Sequence, residues 1–188
     1  SIRGTLNASQ SLDVACNTFT NGIDISQGLT NNGTIRFLPP IAGNCEMDYT
    51  LPAGKTLTNN GSITFGTAGA GGSNSVRFSS NFYNRDGLIV NAPTGTITVN
   101  DYWSALEQVN NQGTITIAPG GLMQQPYNKL VNTGTFVNGD RCSLRELDSS
   151  GGTVELKTSC SIQTKATFTA ASTLRPHVSA TASAKLTV

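Results

Sequence analysis

The residues of this chain that could do chemistry do not form a recognisable catalytic group. Its acidic side chains are scattered, and Asp86 and Asp101, which flank the largest break in the pattern, come nearest to the carboxylate pair of a glycosidase. A nucleophilic site built on histidine would have to use His177, which has no nucleophile motif beside it. The 4 cysteines contain no Cys-x-x-Cys pair of the kind that holds a metal ion. We therefore expect no enzyme activity, no metal and no cofactor, and we interpret the acids as solvated loop charges.

Aromatic side chains are a further candidate for ligand chemistry. Tyr83 ends a segment rich in glycine and aromatic residues, and Tyr102 and Trp103 stand side by side further along the chain. Exposed rings of this kind could stack on the rings of a glycan. The alternative is that the same rings cover one side of the hydrophobic core.

A short repeat sets the elements that must position these residues. It consists of a turn glycine, a small hydroxyl residue and alternating apolar residues, as in Gly95-Thr96-Ile97-Thr98-Val99. A glycine-marked strand that returns in this way is typical of stacked coils of parallel β-structure. The fixed order of the repeat favours such a β-solenoid over an antiparallel sandwich joined by Asn-Gly hairpins, which is the alternative. The repeat glycines, separated by 29, 28, 34, 18, 21 and 18 residues, are Gly4, Gly33, Gly61, Gly95, Gly113, Gly134 and Gly152.

The two-residue period of a strand predicts which side chains fill the coils. Apolar residues two and four positions after the glycine should point inward, and the hydroxyl residues between them should face solvent. Asn138 stands where an apolar residue is expected, which indicates a distorted coil or a register error there. Glycine suits the corner because it tolerates positive φ, and corner asparagines could stack into a ladder of side-chain amides. The predicted interior pairs are Ile35/Phe37, Ile63/Phe65, Ile97/Val99, Ile115/Ile117 and Val154/Leu156.

The cysteines fall at matching phases of the repeat. Cys16 and Cys45 each lie 12 residues after a repeat glycine, and Cys142 and Cys160 each lie 8 residues after one. Neighbouring strands are about 4.8 Å apart, and a disulfide accepts a Cα separation of about 4.4–6.8 Å. The phases therefore predict the disulfides Cys16–Cys45 and Cys142–Cys160. Disulfides are typical of oxidising compartments, which predicts an extracellular or cell-surface protein.

The bulk composition excludes two classes of partner. Charged residues make up 12% of the chain and the net charge is +1, so there is no basic stripe for nucleic acid. Its apolar runs are far shorter than the roughly 20 residues needed to span a bilayer, and we expect no membrane insertion. Three N-glycosylation sequons agree with secretion, at Asn7, Asn32 and Asn60.

The segment Val109–Gly121 resembles the repeats of secreted parallel β-helix proteins of microbial surfaces, such as filamentous adhesins and autotransporter passenger domains. The resemblance covers residues 29–156 best. It implies an extracellular adhesive or structural role, and it carries over no catalytic residue.

The two ends of the chain suggest contacts beyond it. Strand-like sequence begins at Ile2 and returns at 184–188, and a solenoid exposes unpaired backbone at its ends. We expect the end coils to pair with neighbouring subunits, by strand addition or edge stacking, and open contacts of this kind generate filaments. The alternative is that further coils of a longer protein cover the ends. The apolar positions expected to form the assembly strand are Phe168, Val178, Leu186 and Val188.

The sequence thus predicts an all-β, parallel β-solenoid of about seven coils with loop insertions over residues 1–160, and a β-prone C-terminal segment over 161–188. The predicted function is structural, as a self-associating subunit of an extracellular filament, sheath or surface layer. The alternative is a glycan-binding adhesin domain of a microbial surface protein. A polysaccharide-active enzyme is the third hypothesis.

Overall fold

The chain winds into a stack of parallel strands. The computed structural model describes residues 2–15, 20–38, 45–67, 78–83, 87–177 and 186–187. Within these ranges the regular structure is entirely β, and every strand pair is parallel. The strands fall on three faces that the chain visits in a fixed order, so the predicted parallel β-solenoid is confirmed.

Face 1 carries short strands that each end in a corner residue. In the last coils this face is formed by the C-terminal parts of three long strands. Each strand of face 1 pairs with the face 1 strand of the next coil, from the first coil onward. Its strands are β1 (Gly4–Leu6), β4 (Leu29–Asn31), β7 (Thr56–Asn59), β10 (Leu88–Asn91), β13 (Val109–Asn111) and parts of β15 (Leu122–Asn132), β17 (Arg141–Ser149) and β19 (Cys160–Phe168).

Face 2 is a separate sheet of 8 strands. It contains the glycine-hydroxyl-apolar repeat, and its strands pair residue for residue without a break in register. They are β2 (Ser11–Ala15), β5 (Thr34–Leu38), β8 (Ser62–Phe65), β11 (Thr96–Val99), β14 (Thr114–Ile117), β16 (Thr135–Asn138), β18 (Thr153–Leu156) and β20 (Thr173–Pro176).

Face 3 closes each coil and leads back to face 1. In β15, β17 and β19 the two faces are joined by one continuous strand that turns the corner, with register irregularities at the bend. Its other strands are β3 (Thr20–Asp24), β6 (Cys45–Thr50), β9 (Phe78–Tyr83), β12 (Tyr102–Ala105) and β21 (Leu186–Thr187).

The interior is filled by the residues that strand alternation predicts. All ten predicted inward side chains are at most 4% exposed. Part of the filling is a stack of aromatic rings: the Phe37 and Phe65 ring centroids are 4.9 Å apart, and those of Phe65 and Trp103 are 5.0 Å apart. Tyr49 packs on Phe37, and its burial, with a smaller contribution from the Asp48 charge, raises the pKa of its hydroxyl far above the ordinary value.

A ladder of buried asparagine amides runs along the corner between faces 1 and 2. The first four Nδ2 groups each donate to the Oδ1 of the asparagine in the next coil at 2.7–2.8 Å, and the last, that of Asn132, donates to Ser149 Oγ at 3.5 Å. All five also donate to a backbone carbonyl of face 2. Because these groups are fully buried, pairing them in this way removes the cost of desolvated amides. The predicted ladder is therefore present, formed by Asn31, Asn59, Asn91, Asn111 and Asn132.

Asn138 keeps the register of its coil. It lies opposite Ile117 and Leu156, points inward and is fully buried. Its Nδ2 donates to the carbonyl oxygens of Thr158 and Ser159, both at 3.2 Å. The inward amide thus binds the turn of the following coil, and neither a distortion nor a register error is needed to explain it.

The glycines of the repeat are required for a different reason from the one that the sequence suggests. Among the described residues, positive φ occurs at Gly4 and at glycines outside the repeat, such as Gly28 and Gly54. A Cβ on Gly61 or Gly134 would instead lie 2.1–2.2 Å from the carbonyl oxygen of the repeat glycine one coil before. Close backbone approach between coils therefore excludes a side chain at these corners.

The sequence assigns the first coil to the wrong phase. Gly4 starts β1 on face 1 opposite Leu29, and Ser11 is the residue that lies opposite Thr34 on face 2. The corner before β2 has no glycine to mark it, because Gln10 stands there. The phase argument for Cys16–Cys45 rested on Gly4, and Cys16 lies outside the described residues, so that disulfide stays a prediction.

The parallel pairing extends past residue 160, where we expected the solenoid to end. β19 pairs with β17 on two faces, and β20 continues face 2 with Thr173 opposite Thr153. The residues from Ser161 to Pro176 therefore belong to the same stack.

Candidate functional site

Trp103, predicted as a glycan contact, is part of the core. It is 1% exposed and its ring stacks on Phe65 at an interplanar angle of 11°. It lies in β12 opposite Met123, which is also buried. The prediction was wrong because the strand phase directs this ring inward, which is the core alternative raised from the sequence.

Of the other two predicted glycan contacts, the structure describes the side chain of Tyr102 alone. Tyr102 is half-buried, and its hydroxyl donates to Gln124 Oε1 at 2.7 Å. Tyr83 ends β9, which lies between β6 and β12, so this part of the expected insertion is a strand of face 3. The Tyr83 side chain lies outside the described residues, as does Asp86, whereas Asp101 is half-buried in a turn.

An aromatic ring that the sequence did not single out is exposed instead. Tyr127 is 65% exposed, the largest exposed fraction among the big hydrophobic side chains that the structure describes. It lies in the middle of β15, at the bend where the strand passes from face 3 to face 1. An aromatic ring held out in solvent on a corner is able to stack on the apolar face of a sugar.

The buried side chain of Gln125 fixes the bend by two hydrogen bonds. This side chain is fully buried, and its Nε2 donates to the carbonyl oxygens of Glu107 at 2.7 Å and Lys129 at 2.8 Å. The first bond joins the bend to the corner of the preceding coil, and the second closes the bend itself. Tyr127 is therefore presented by a positioned backbone.

Polar side chains lie on the same bend as Tyr127 and on the coils on either side of it. Asn128 Nδ2 donates to the Glu107 carboxylate at 3.0 Å, which holds that acid beside the bend. In the next coil the register places a single residue, Arg145, opposite the three residues 126–128, and it is exposed. We name this surface the Tyr127 corner, and it consists of Glu107, Tyr127, Asn128 and Arg145.

The sequence contained a signal for this corner. Pro126 interrupts an otherwise alternating strand, and proline cannot donate to a central sheet. The sequence does not predict whether the side chain of Tyr127, the next residue, points inward or outward, because the alternation breaks at Pro126.

The two C-terminal cysteines form the disulfide that their phases predict. Cys142 and Cys160 lie opposite each other in β17 and β19, with a Cα separation of 4.6 Å. The bond crosses two neighbouring coils of face 3, a few residues from the Tyr127 corner along β17.

Two positions proposed for subunit contacts are used within the chain. Phe168 packs against the core, and Leu186 lies opposite Cys160 in β21. Each thus has a partner on one side within the stack, and contact with a neighbouring subunit on the other side stays a prediction. Val178 and Val188 lie outside the described residues.

The sequons differ in their surroundings. Asn7 is exposed in a turn where its N–H donates to Gln10 Oε1 at 2.8 Å. Asn32 and Asn60 are half-buried, and Asn60 Nδ2 donates to Asn32 Oδ1 at 2.8 Å. Asn7 is thus the more accessible acceptor of the three.

The described residues have neither a membrane-spanning helix nor a cluster of metal ligands. They contain no helix long and apolar enough to cross a membrane. Nor do these residues bring together three His, Cys, Asp or Glu side chains in a group that could hold a metal ion.

Comparison with known proteins gives one match. The family model described as hyphally regulated cell wall protein N-terminal matches residues 5–173. Curated proteins and solved structures gave no match. The matched range covers both the Tyr127 corner and nearly the whole parallel stack, so the chain belongs to the family of hyphally regulated cell wall protein N-terminal domains and is a protein of the cell surface.

Proposed function

We propose that this chain is a glycan-binding adhesin domain and that the Tyr127 corner contacts the sugar. The observation that carries the proposal is the 65% exposure of Tyr127 on a bend positioned by buried Gln125. The Tyr127 ring stands out on a hydrogen-bonded corner of a surface protein, where it can stack on the apolar face of a sugar. The surface location given by the family supports the same reading.

The polar neighbours of Tyr127 complete the chemistry that a sugar requires. The ring covers an apolar sugar face, while the Glu107 carboxylate accepts and the Arg145 guanidinium donates hydrogen bonds to hydroxyl groups. Glu107 and Asn128 already bind each other at 3.0 Å, so little side-chain entropy is lost when a ligand is bound.

A glycan array carrying neutral, N-acetylated and carboxylated oligosaccharides tests the proposal. We expect the wild-type domain to bind a subset, and Tyr127→Ala to weaken that binding at least about tenfold, which corresponds to roughly 1.4 kcal/mol. Tyr127→Phe should retain most of the affinity because it keeps the ring. Arg145→Ala should weaken binding, whereas Arg175→Ala, an exposed arginine on face 2, should not.

Two results would overturn the proposal. One is an array on which the folded domain binds no oligosaccharide. The other is binding that Tyr127→Ala and Arg145→Ala leave unchanged.

A second candidate function is self-assembly into a filament or surface layer. It is favoured by Leu174, which is 42% exposed although it lies opposite buried Val154 at an inward-pointing position of face 2. Stacking of a further coil, from a second copy, would cover it. Electron microscopy and sedimentation velocity over a concentration series should then show filaments or oligomers that Leu174→Asp abolishes. A single monomeric species at every concentration would exclude this function.

A further inference from the structure

A second polar surface lies on the same corner of the solenoid as Tyr127, several coils nearer the N-terminus. Two β-turns pass there from face 3 to face 1, closed by the bonds Gly28 N–H to Ile25 O at 3.0 Å and Lys55 N–H to Pro52 O at 3.1 Å. Between and beside them is an open groove of about 530 Å³.

Three stacked threonines line this groove. Thr5, Thr30 and Thr58 lie opposite one another in β1, β4 and β7. The residues on either side of Thr30 are buried, so its hydroxyl is on the outer side of face 1. Together with Thr56, these residues give a row of groups that both donate and accept hydrogen bonds.

The turns leave the groove open. Gly54 has φ of 70°, and a Cβ built on it would meet nothing within 4 Å. The side chain of Gln27, which is exposed, adds an amide to the lining. A ligand can therefore approach the backbone of the turn as well as the threonine row.

The groove has one charge, and it is positive. Lys55 is the single charged residue in the lining, and it is half-buried. The ion pairs of the described residues involve other groups, among them Lys129 with Asp148 and Lys157 with Glu155. A half-buried ammonium in a hydroxyl-rich groove without an acidic neighbour in the lining is complementary to an anion that also carries hydroxyl groups.

We propose that the groove formed by Thr5, Gln27, Thr30, Lys55 and Thr58 binds a carboxylate-bearing sugar. The Lys55 ammonium donates to the carboxylate, and the threonine hydroxyls and the Gln27 amide bind the ring hydroxyls. This inference rests on the proposed function, because it takes the ligand to be a glycan, and it adds the class of sugar. It uses none of the residues of the Tyr127 corner. The structure thus gives the domain a subsite for acidic sugars apart from its aromatic one.

Isothermal titration with two matched probes tests this subsite. The probes are a galacturonic acid trisaccharide and its methyl ester, which has the same rings but no charge. We expect the acid to bind at least about tenfold more tightly than the ester, because hydrogen bonds to charged groups are the stronger ones. Lys55→Gln should remove that difference, and Thr30→Val should weaken both probes.

The control variant is Lys157→Gln, which removes a half-exposed ammonium on face 2 and should leave both affinities unchanged. Equal binding of acid and ester by the wild type overturns the inference. Tight binding of the acid that Lys55→Gln does not alter overturns it as well, and so does a failure of the acid to bind.

Tyr127→Ala distinguishes this inference from the proposed function. If the acid still binds this variant through Lys55 while array binding of neutral glycans is lost, both sites are supported. If array binding is unaffected by Tyr127→Ala but the acid depends on Lys55, the Tyr127 corner fails and the groove stands. If the acid does not bind while neutral glycans depend on Tyr127, the groove alone fails.

Discussion

Trp103 and Tyr127 are aromatic residues on neighbouring strands, and they have opposite environments. Trp103 is 1% exposed in the middle of β12, whereas Tyr127 is 65% exposed at the bend of β15, the strand that pairs with β12. Regular alternation turns Trp103 onto Phe65 in the interior. At the bend alternation is broken, and the next coil places only Arg145 opposite the three residues 126–128. Because the register shifts at the bend, the Tyr127 side chain no longer has to point inward, and its ring is exposed to solvent.

The largest expected effect is that of Trp103→Ala on stability. Removal of a buried aromatic ring leaves a cavity against Phe65, and such changes cost about 3–5 kcal/mol. Urea denaturation followed by circular dichroism measures the loss. A loss below about 1 kcal/mol would contradict the assignment of Trp103 to the core.

The disulfide near the Tyr127 corner should have the next largest effect. Replacing both Cys142 and Cys160 by serine removes a cross-link between residues 18 apart, and we expect a loss of about 3 kcal/mol. The thermal midpoint of the double variant, compared with the wild type under non-reducing conditions, checks this. An unchanged midpoint would show that the stack holds these coils without the bond.

The asparagine ladder lies on a different corner, between faces 1 and 2, and its loss should have an intermediate effect on stability. Asn111→Leu has a side chain of similar size but leaves the Asn132 amide oxygen without its donor, so we expect about 1–3 kcal/mol of destabilisation. The matched control is Asn110→Ala, because Asn110 is on the outer side of the same strand. Equal losses in the two variants would argue against the ladder as a stabilising element.

Gln125→Leu tests whether the bend is what exposes Tyr127, because Gln125 positions that bend. Loss of its bonds to Glu107 and Lys129 should cost about 1–3 kcal/mol and increase hydrogen exchange at the amides of residues 127–129. Glycan affinity should fall although the ring remains. Faster exchange spread evenly over all coils would instead mean that Gln125 is a general core residue.

The smallest effect on stability is expected for Tyr127→Ala. Exposed side chains away from special contacts change stability by about 0.5 kcal/mol or less. The same urea titration used for Trp103→Ala measures this, so the two aromatics are compared directly. A loss near that of Trp103→Ala would show that the Tyr127 ring packs on the protein.

Much of the fold could be predicted because face 2 has a strict two-residue alternation in nearly every coil. The inward pairs such as Ile97/Val99 follow from that alternation, and the Cys142–Cys160 pair follows from the equal distance of each cysteine to its repeat glycine. The sequence misled at the corner before β2, where Gln10 stands in place of the repeat glycine. It also misled at Phe78–Tyr83, which has the composition of an insertion but forms a strand. It also missed Tyr127, since a bend has no period from which a direction can be read.

The order of the residues is enough to predict a stack of parallel strands with a glycine at most face 2 corners and an apolar interior, because these features follow from the periodicity of the sequence. Three further facts are visible in the folded chain and not in its sequence. They are which aromatic ring is buried and which is exposed, that Gln125 holds the bend, and that Thr5, Thr30, Thr58 and Lys55 share one groove. Those facts depend on which residues of different coils lie side by side, and that is set by the lengths of the corners between the strands.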